Sequence, residues 1–283
     1  MKGFGEYGRT EDKRALWSPR LSFRFFTAVV LGLAALGFLA PFDRALSTAG
    51  LRFGADEAFL AFMDQSLFKG QRFGAGDFPL LVHLLSFFLY ALTYGPYAPA
   101  WLRSHRSALA FLWMGGALTG VGVHLFKGLM GRPRPHEVLE GLVAYRHWFD
   151  LHWPLQFAFL KGSFPSGHTA SMMGLWGALL WFRHAQPQKV WAFRLSAGAC
   201  LLLGTVMAFA RVAQGAHWPT DTLASMGMAV SVSTLLVPPL LQREKGEEVG
   251  LFRHFELLLT GLAVWLVLGM GYLAVLAVFK GAT

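Results

Sequence analysis

Residues 201–221 read LLLGTVMAFARVAQGAHWPTD, and the join within that string decides how the chain is built. Leu201 to Ala210 closes an apolar run that starts near 191, and a bilayer-spanning helix needs roughly 20 such residues. Arg211 ends the run, and His217 and Asp221 follow it. Ionisable groups inside spans are functional candidates by default. Working outward, further apolar runs fall near 24–41, 78–102, 107–130, 166–183, 219–241 and 256–279. The expected fold is therefore all-α. It is a polytopic membrane helical bundle of about six to seven transmembrane helices, with 1–283 as a single integral membrane domain.

Composition agrees. The chain has 283 residues, 54% of them hydrophobic and 14% charged, with a mean hydropathy of +0.44. Soluble domains carry about 25% charged residues. The net charge of +9 would raise nucleic acid as a partner in a soluble protein. Here it follows from cations collected in the loops on one side of a membrane, so the partner is the bilayer and not nucleic acid. The single cysteine, Cys200, lies in an apolar run and permits no intrachain disulfide. A basic segment precedes the first run, as in a signal peptide, but Pro41-Phe42-Asp43 offers no small-x-small cleavage site, which favours a retained helix. Residues 42–77 read as an external loop or an amphipathic interfacial helix. Apolar positions from Ala55 to Phe68 recur at helical spacing.

Arg103 and Arg106, then Arg183, Lys189 and Arg194, then Arg243, Lys245 and Arg253 occupy alternate short loops. With the basic N-terminus they define the cytoplasmic side. Three polar segments then share the opposite face: Lys127 with Arg134-Pro135, Pro165-Ser166-Gly167-His168, and Arg211 with His217 and Asp221.

Each segment carries chemistry suited to phosphate. Ser166 is a good N-cap for the fourth span, and a helix N-terminus binds anions through free amides and a positive dipole end. Gly167 lets the backbone approach a ligand, and His168 stands in the first turn, near enough to donate a proton. Asp221 lies one helical turn from His217, where a carboxylate can fix the tautomer of an imidazole nucleophile or base; a capping carboxylate beside a solvated histidine gives the same spacing. Lys127, Arg134 and Arg211 supply cations, and snorkelling would explain one of the three but not the set. His124 and His136 flank the first segment and are read as boundary or packing residues.

Lys127-x6-Arg134-Pro135, then Pro165-Ser166-Gly167-His168, then Arg211-x5-His217-x3-Asp221 resembles the signature of the type 2 phosphatidic acid phosphatase superfamily. The resemblance covers roughly 107–241, taken as the catalytic core. The family usually has serine before the third arginine, where this chain has Ala210. The resemblance implies that His217 attacks phosphorus, Asp221 orients it, and His168 protonates the leaving oxygen. It implies that Lys127, Arg134, Ser166, Gly167 and Arg211 hold the phosphoryl oxygens, with no metal and no cofactor.

The linker 136–164 carries Tyr145, Trp148, Phe149, Trp153, Phe157 and Phe159, read as an aromatic wall or a plain interfacial anchor. The stretch 211–221 is similar to bacterial lipid A phosphatases. The expected substrate is thus a phospholipid or glycolipid phosphate, with lipid A 1-phosphate first. Undecaprenyl diphosphate, phosphatidylglycerophosphate and a phosphotransferase reaction are the alternatives, and a non-enzymatic transporter is the outside option. The expected location is the bacterial inner membrane, with the site on the periplasmic face.

Overall fold

A computed structural model describes residues 30, 32–54, 58, 61, 76–150, 162–176 and 190–244. Every regular element among them is helical. Residues 32–39 are helical and run through a 3-10 turn, Ala40–Phe42, into α1, Asp43–Gly54. Then follow α2, Asp77–Leu92; α3, Ala100–Ser104; α4, Arg106–Met130; α5, Pro135–Leu139; α6, Gly167–Gly174; α7, Val190–Ala213; and α8, Pro219–Glu244.

Two findings bear on the expected spans. The run at 78–102 is not one helix. It stops at Leu92 and resumes only as the short α3, because Gly95-Pro96 and Pro99 fall between them. Proline lacks the amide that would continue the hydrogen-bond ladder. Arg106 seals the break, donating to Thr93 Oγ1 at 2.9 Å and to the Thr93 carbonyl at 2.7 Å. Second, among the described residues two helices are long and apolar enough to cross a membrane: Arg106–Leu139, which is α4 carried on through α5, and Val190–Ala213. α2 is apolar but shorter. The last expected span, 256–279, the opening residues of the first, and the end of the fourth lie outside the described residues. So does most of the amphipathic candidate at Ala55–Phe68.

The core forms where α2, α4 and α8 meet. Tyr90, Ala110, Phe111, Trp113 and Met114 are buried there, with Phe87 and Val232 packed against them. α6 is the short central helix, in contact with α4, α7 and α8 and buried along most of its length. By contrast α2 exposes Leu81, Leu85, Phe88 and Leu92, and α7 exposes Trp191, Leu195 and Leu202. Apolar side chains exposed along whole helix faces fit a hydrocarbon solvent. Cys200 on α7 is a free, buried thiol.

α1 packs on α7 and touches α8 and α5. Its Gly50 and Gly54 face Val212 and Ala213, and a Cβ at Gly54 would lie 2.0 Å from the Ala213 carbonyl oxygen. Small residues four apart let two helix backbones come this close.

Candidate functional site

The three polar segments meet at one end of α4, α6 and α8, and main-chain bonds interlock them. α4 ends after Lys127 because Gly131 takes the left-handed conformation and returns its amide to the Lys127 carbonyl at 3.0 Å. The chain then turns into α5, where Glu137 accepts the Arg134 amide at 2.7 Å and holds that residue's backbone. His136 reaches the third segment: its amide and its ring Nδ1 both bond the Gly215 carbonyl, at 3.1 and 2.9 Å. It is thus a packing residue. Trp218, fully buried, donates its indole N–H to the Pro133 carbonyl at 2.9 Å. The Ser166 amide donates to the Asp221 carbonyl at 3.3 Å, which joins the second segment to the third.

Ser166 caps α6 as its residue type suggests, its hydroxyl accepting from the Thr169 amide at 3.4 Å and the Thr169 hydroxyl at 3.1 Å. Gly167 and His168 open that helix, both buried. Arg211 bends over its own loop, donating to Gln214 Oε1 at 2.6 Å, while its carbonyl accepts the amides of Ala216 and His217. Lys127 is buried with 6% of its surface exposed, and His217 with 2%.

His217 is held in a fixed orientation, but not by the group the sequence suggested. Its Nδ1 lies 2.6 Å from the Ser163 carbonyl and 3.8 Å from Asp221 Oδ2. A carbonyl only accepts, so Nδ1 carries the proton and Nε2 presents a lone pair. Asp221 is occupied elsewhere: Oδ2 accepts the Trp218 amide at 2.8 Å, and Oδ1 accepts from Arg132 at 2.6 Å. The tautomer is therefore set by a backbone carbonyl, and Asp221 contributes nearby negative charge. Burial holds the His217 pKa well below the ordinary histidine value, and Lys127, Arg211 and Arg134 push it further down. The imidazole is neutral at pH 7. Those same repulsions show the three cations gathered around it.

Arg132 and Asp43 did not emerge from the sequence reading. Both are fully buried and paired at 2.8 Å, and Arg132 also pairs with Asp221. The guanidinium further donates to Thr220 Oγ1 at 2.8 Å, the Tyr145 hydroxyl at 3.1 Å and the Arg146 carbonyl at 2.9 Å. Arg132 had a signal, a second arginine in Gly131-Arg132-Pro133-Arg134-Pro135. So had Asp43, an acid closing an apolar run. Ser163 acts through its carbonyl, which no sequence pattern reveals. Tyr145 also departs from the expected aromatic wall: it turns inward to Arg132 and packs edge-on against Trp218 at 5.1 Å. Phe149 remains exposed and Trp148 stacks on Phe164 at 5.8 Å. Trp153, Phe157 and Phe159 lie outside the described residues.

Three cations thus act electrostatically on a neutral, oriented imidazole. Residues 107–244 match the model of the PAP2 superfamily. The PAP2 match spans all three segments and points to phosphatase activity on phosphate esters. It begins after α1 and α2, so Asp43 lies outside it. Neither a search of the curated proteins nor one of the solved structures found a match.

Proposed function

We propose that the protein is a metal-independent membrane lipid phosphatase working through a phosphohistidine. The observation that carries this reading is the neutral His217, its Nδ1 proton committed to Ser163 and its Nε2 making no hydrogen bond to a described residue. Lys127, Arg134, Arg211, Ser166 and the Gly167 amide bind the phosphoryl oxygens. The Nε2 lone pair attacks phosphorus as the bond to the leaving oxygen breaks, and His168 protonates that oxygen. A water then gives a proton to His168 and attacks the phosphohistidine. The P–N bond breaks, releasing phosphate and restoring neutral His217.

Cations do here what metal ions do in other phosphatases. Among the described residues the two buried carboxylates, Asp43 and Asp221, are already engaged by Arg132, Thr220 and Trp218, which leaves them poorly suited to hold a metal. Exposed Leu139, Leu142, Val143 and Phe149 follow the first segment and suit a lipid approaching sideways. Lipid A 1-phosphate is the first substrate, from the similarity of 211–221.

The test is phosphate release in detergent, with excess chelator, from lipid A, undecaprenyl diphosphate, phosphatidylglycerophosphate and phosphatidic acid. We expect turnover of at least one lipid at a rate the chelator leaves unchanged, with lipid A fastest. Loss of the rate in chelator with recovery on adding magnesium would rule out the mechanism. A faster rate on another lipid would move the substrate assignment alone.

A further inference from the structure

We propose that Asp43 is a positioning residue of this site, acting through Arg132 and Thr220 on Asp221. The inference rests on the phosphohistidine reading above. The Arg132 fork is split between two carboxylates, Nη1 on Asp221 and Nη2 on Asp43. Asp43 also accepts the Thr220 amide at 3.1 Å and the Thr220 hydroxyl at 2.6 Å, so it grips the residue next to Asp221. All three charged side chains are fully buried.

Two carboxylates share one guanidinium, which leaves the three side chains a formal excess of one negative charge. Asp221 Oδ2, the oxygen not bonded to Arg132, lies 3.8 Å from His217 Nδ1. Once Nε2 carries a phosphoryl group while Nδ1 keeps its proton, the ring is cationic, and this negative charge stabilises it. Without Asp43, one guanidinium would face one carboxylate, and their charges would cancel beside the ring. Asp43 therefore holds Thr220 and Asp221 in place and keeps their field negative. Its chain position, on a helix outside the matched segment, makes α1 part of the working site.

The experiment uses full-length protein in detergent with p-nitrophenyl phosphate. It compares wild type, Asp43→Asn, Asp43→Glu and His217→Ala. The readouts are kcat, acid-quenched phosphoenzyme and the inhibition constant of inorganic phosphate. For Asp43→Asn we expect kcat and the rate of phosphoenzyme formation to fall at least about tenfold. The phosphate inhibition constant should stay within about twofold, because Lys127, Arg134 and Arg211 are untouched. Asp43→Glu, which keeps the charge, should retain more kcat than Asp43→Asn. Wild-type kcat in folded Asp43→Asn would overturn the proposal. So would an equal loss of phosphate binding, which marks general loss of packing. If Asp43→Asn does not fold, Thr220→Val keeps the shape and both charges but removes the bridging hydroxyl. It should lower kcat without changing phosphate binding, and wild-type kcat there overturns the proposal. No phosphohistidine in wild type would overturn the underlying reading, and this one with it. Phosphohistidine present in wild type, absent from His217→Ala and undiminished in Asp43→Asn would overturn this one alone.

Discussion

The ring of His217 lies between two oxygens, the Ser163 carbonyl at 2.6 Å and Asp221 Oδ2 at 3.8 Å from Nδ1. Only the nearer one is within hydrogen-bond distance. Spacing in the chain predicts the Asp221 approach, since it follows from one helical turn, but cannot predict a carbonyl contributed by a loop 54 residues away. With its pKa held below 6.5 by burial and three cations, His217 should stay neutral as pH is lowered through 6.5. Ring-nitrogen NMR of labelled protein, assigned with His217→Gln, would show this. A ring titrating at or above 6.5 would contradict the burial argument. The sign for stability follows. The unfolded chain takes up this proton first, so the group costs nothing above about 6.5 and the fold loses stability as pH falls below it. The two histidines should fail differently when removed. His217→Ala removes the nucleophile and should abolish turnover of any substrate. His168→Ala should lose about 10²–10⁴-fold on a lipid phosphate and less on p-nitrophenyl phosphate, whose leaving group needs no proton. Equal losses of His168→Ala on both substrates would reassign it to phosphate binding or water activation.

Among the elements, α1 and α7 depend on one another through a close approach. Gly54→Ala would drive a methyl group into the Ala213 carbonyl, against backbone that cannot step aside. Overpacking of this kind costs about 1–3 kcal/mol. The variant should melt lower than wild type, and activity should fall because Ala213 precedes the Gly215–His217 loop. A melting midpoint equal to wild type would mean that α1 sits further from α7. Long elements were legible for a physical reason: the apolar runs at 107–130, 191–210 and 219–241 return as α4, α7 and α8, since burial and length set them. Ser166 was legible as a cap because its residue type has one favourable use there. The break at Gly95 to Pro99 was missed because hydropathy outweighed proline chemistry in the reading. Asp43 and Arg132 were missed because their meaning lies in a pairing across α1 and α4, and periodicity within one element does not report it.

For the whole molecule, the arrangement of charges along the loops predicts which side of the membrane holds the site. Glu140, exposed just after α5, should lie outside, and Gln186 should lie inside. In a Cys200→Ala background, Glu140→Cys should react with an impermeant thiol reagent added to spheroplasts, and Gln186→Cys should not. The reverse pattern would place the site in the cytoplasm. The buried ion cluster also bears on how the chain is made. Arg132 is 89 residues from Asp43 and 89 from Asp221, so its two partners lie on opposite sides of it in order of synthesis. Asp43 and Arg132 emerge first and can meet as a balanced pair, which lowers the cost of bringing either charge into the membrane. Asp221 arrives last, with His217 just ahead of it, so on the proposed mechanism the nucleophile is among the last parts of the site to be made. On that mechanism the chain would stay inert until its late segment docks onto the earlier-made pair of Asp43 and Arg132.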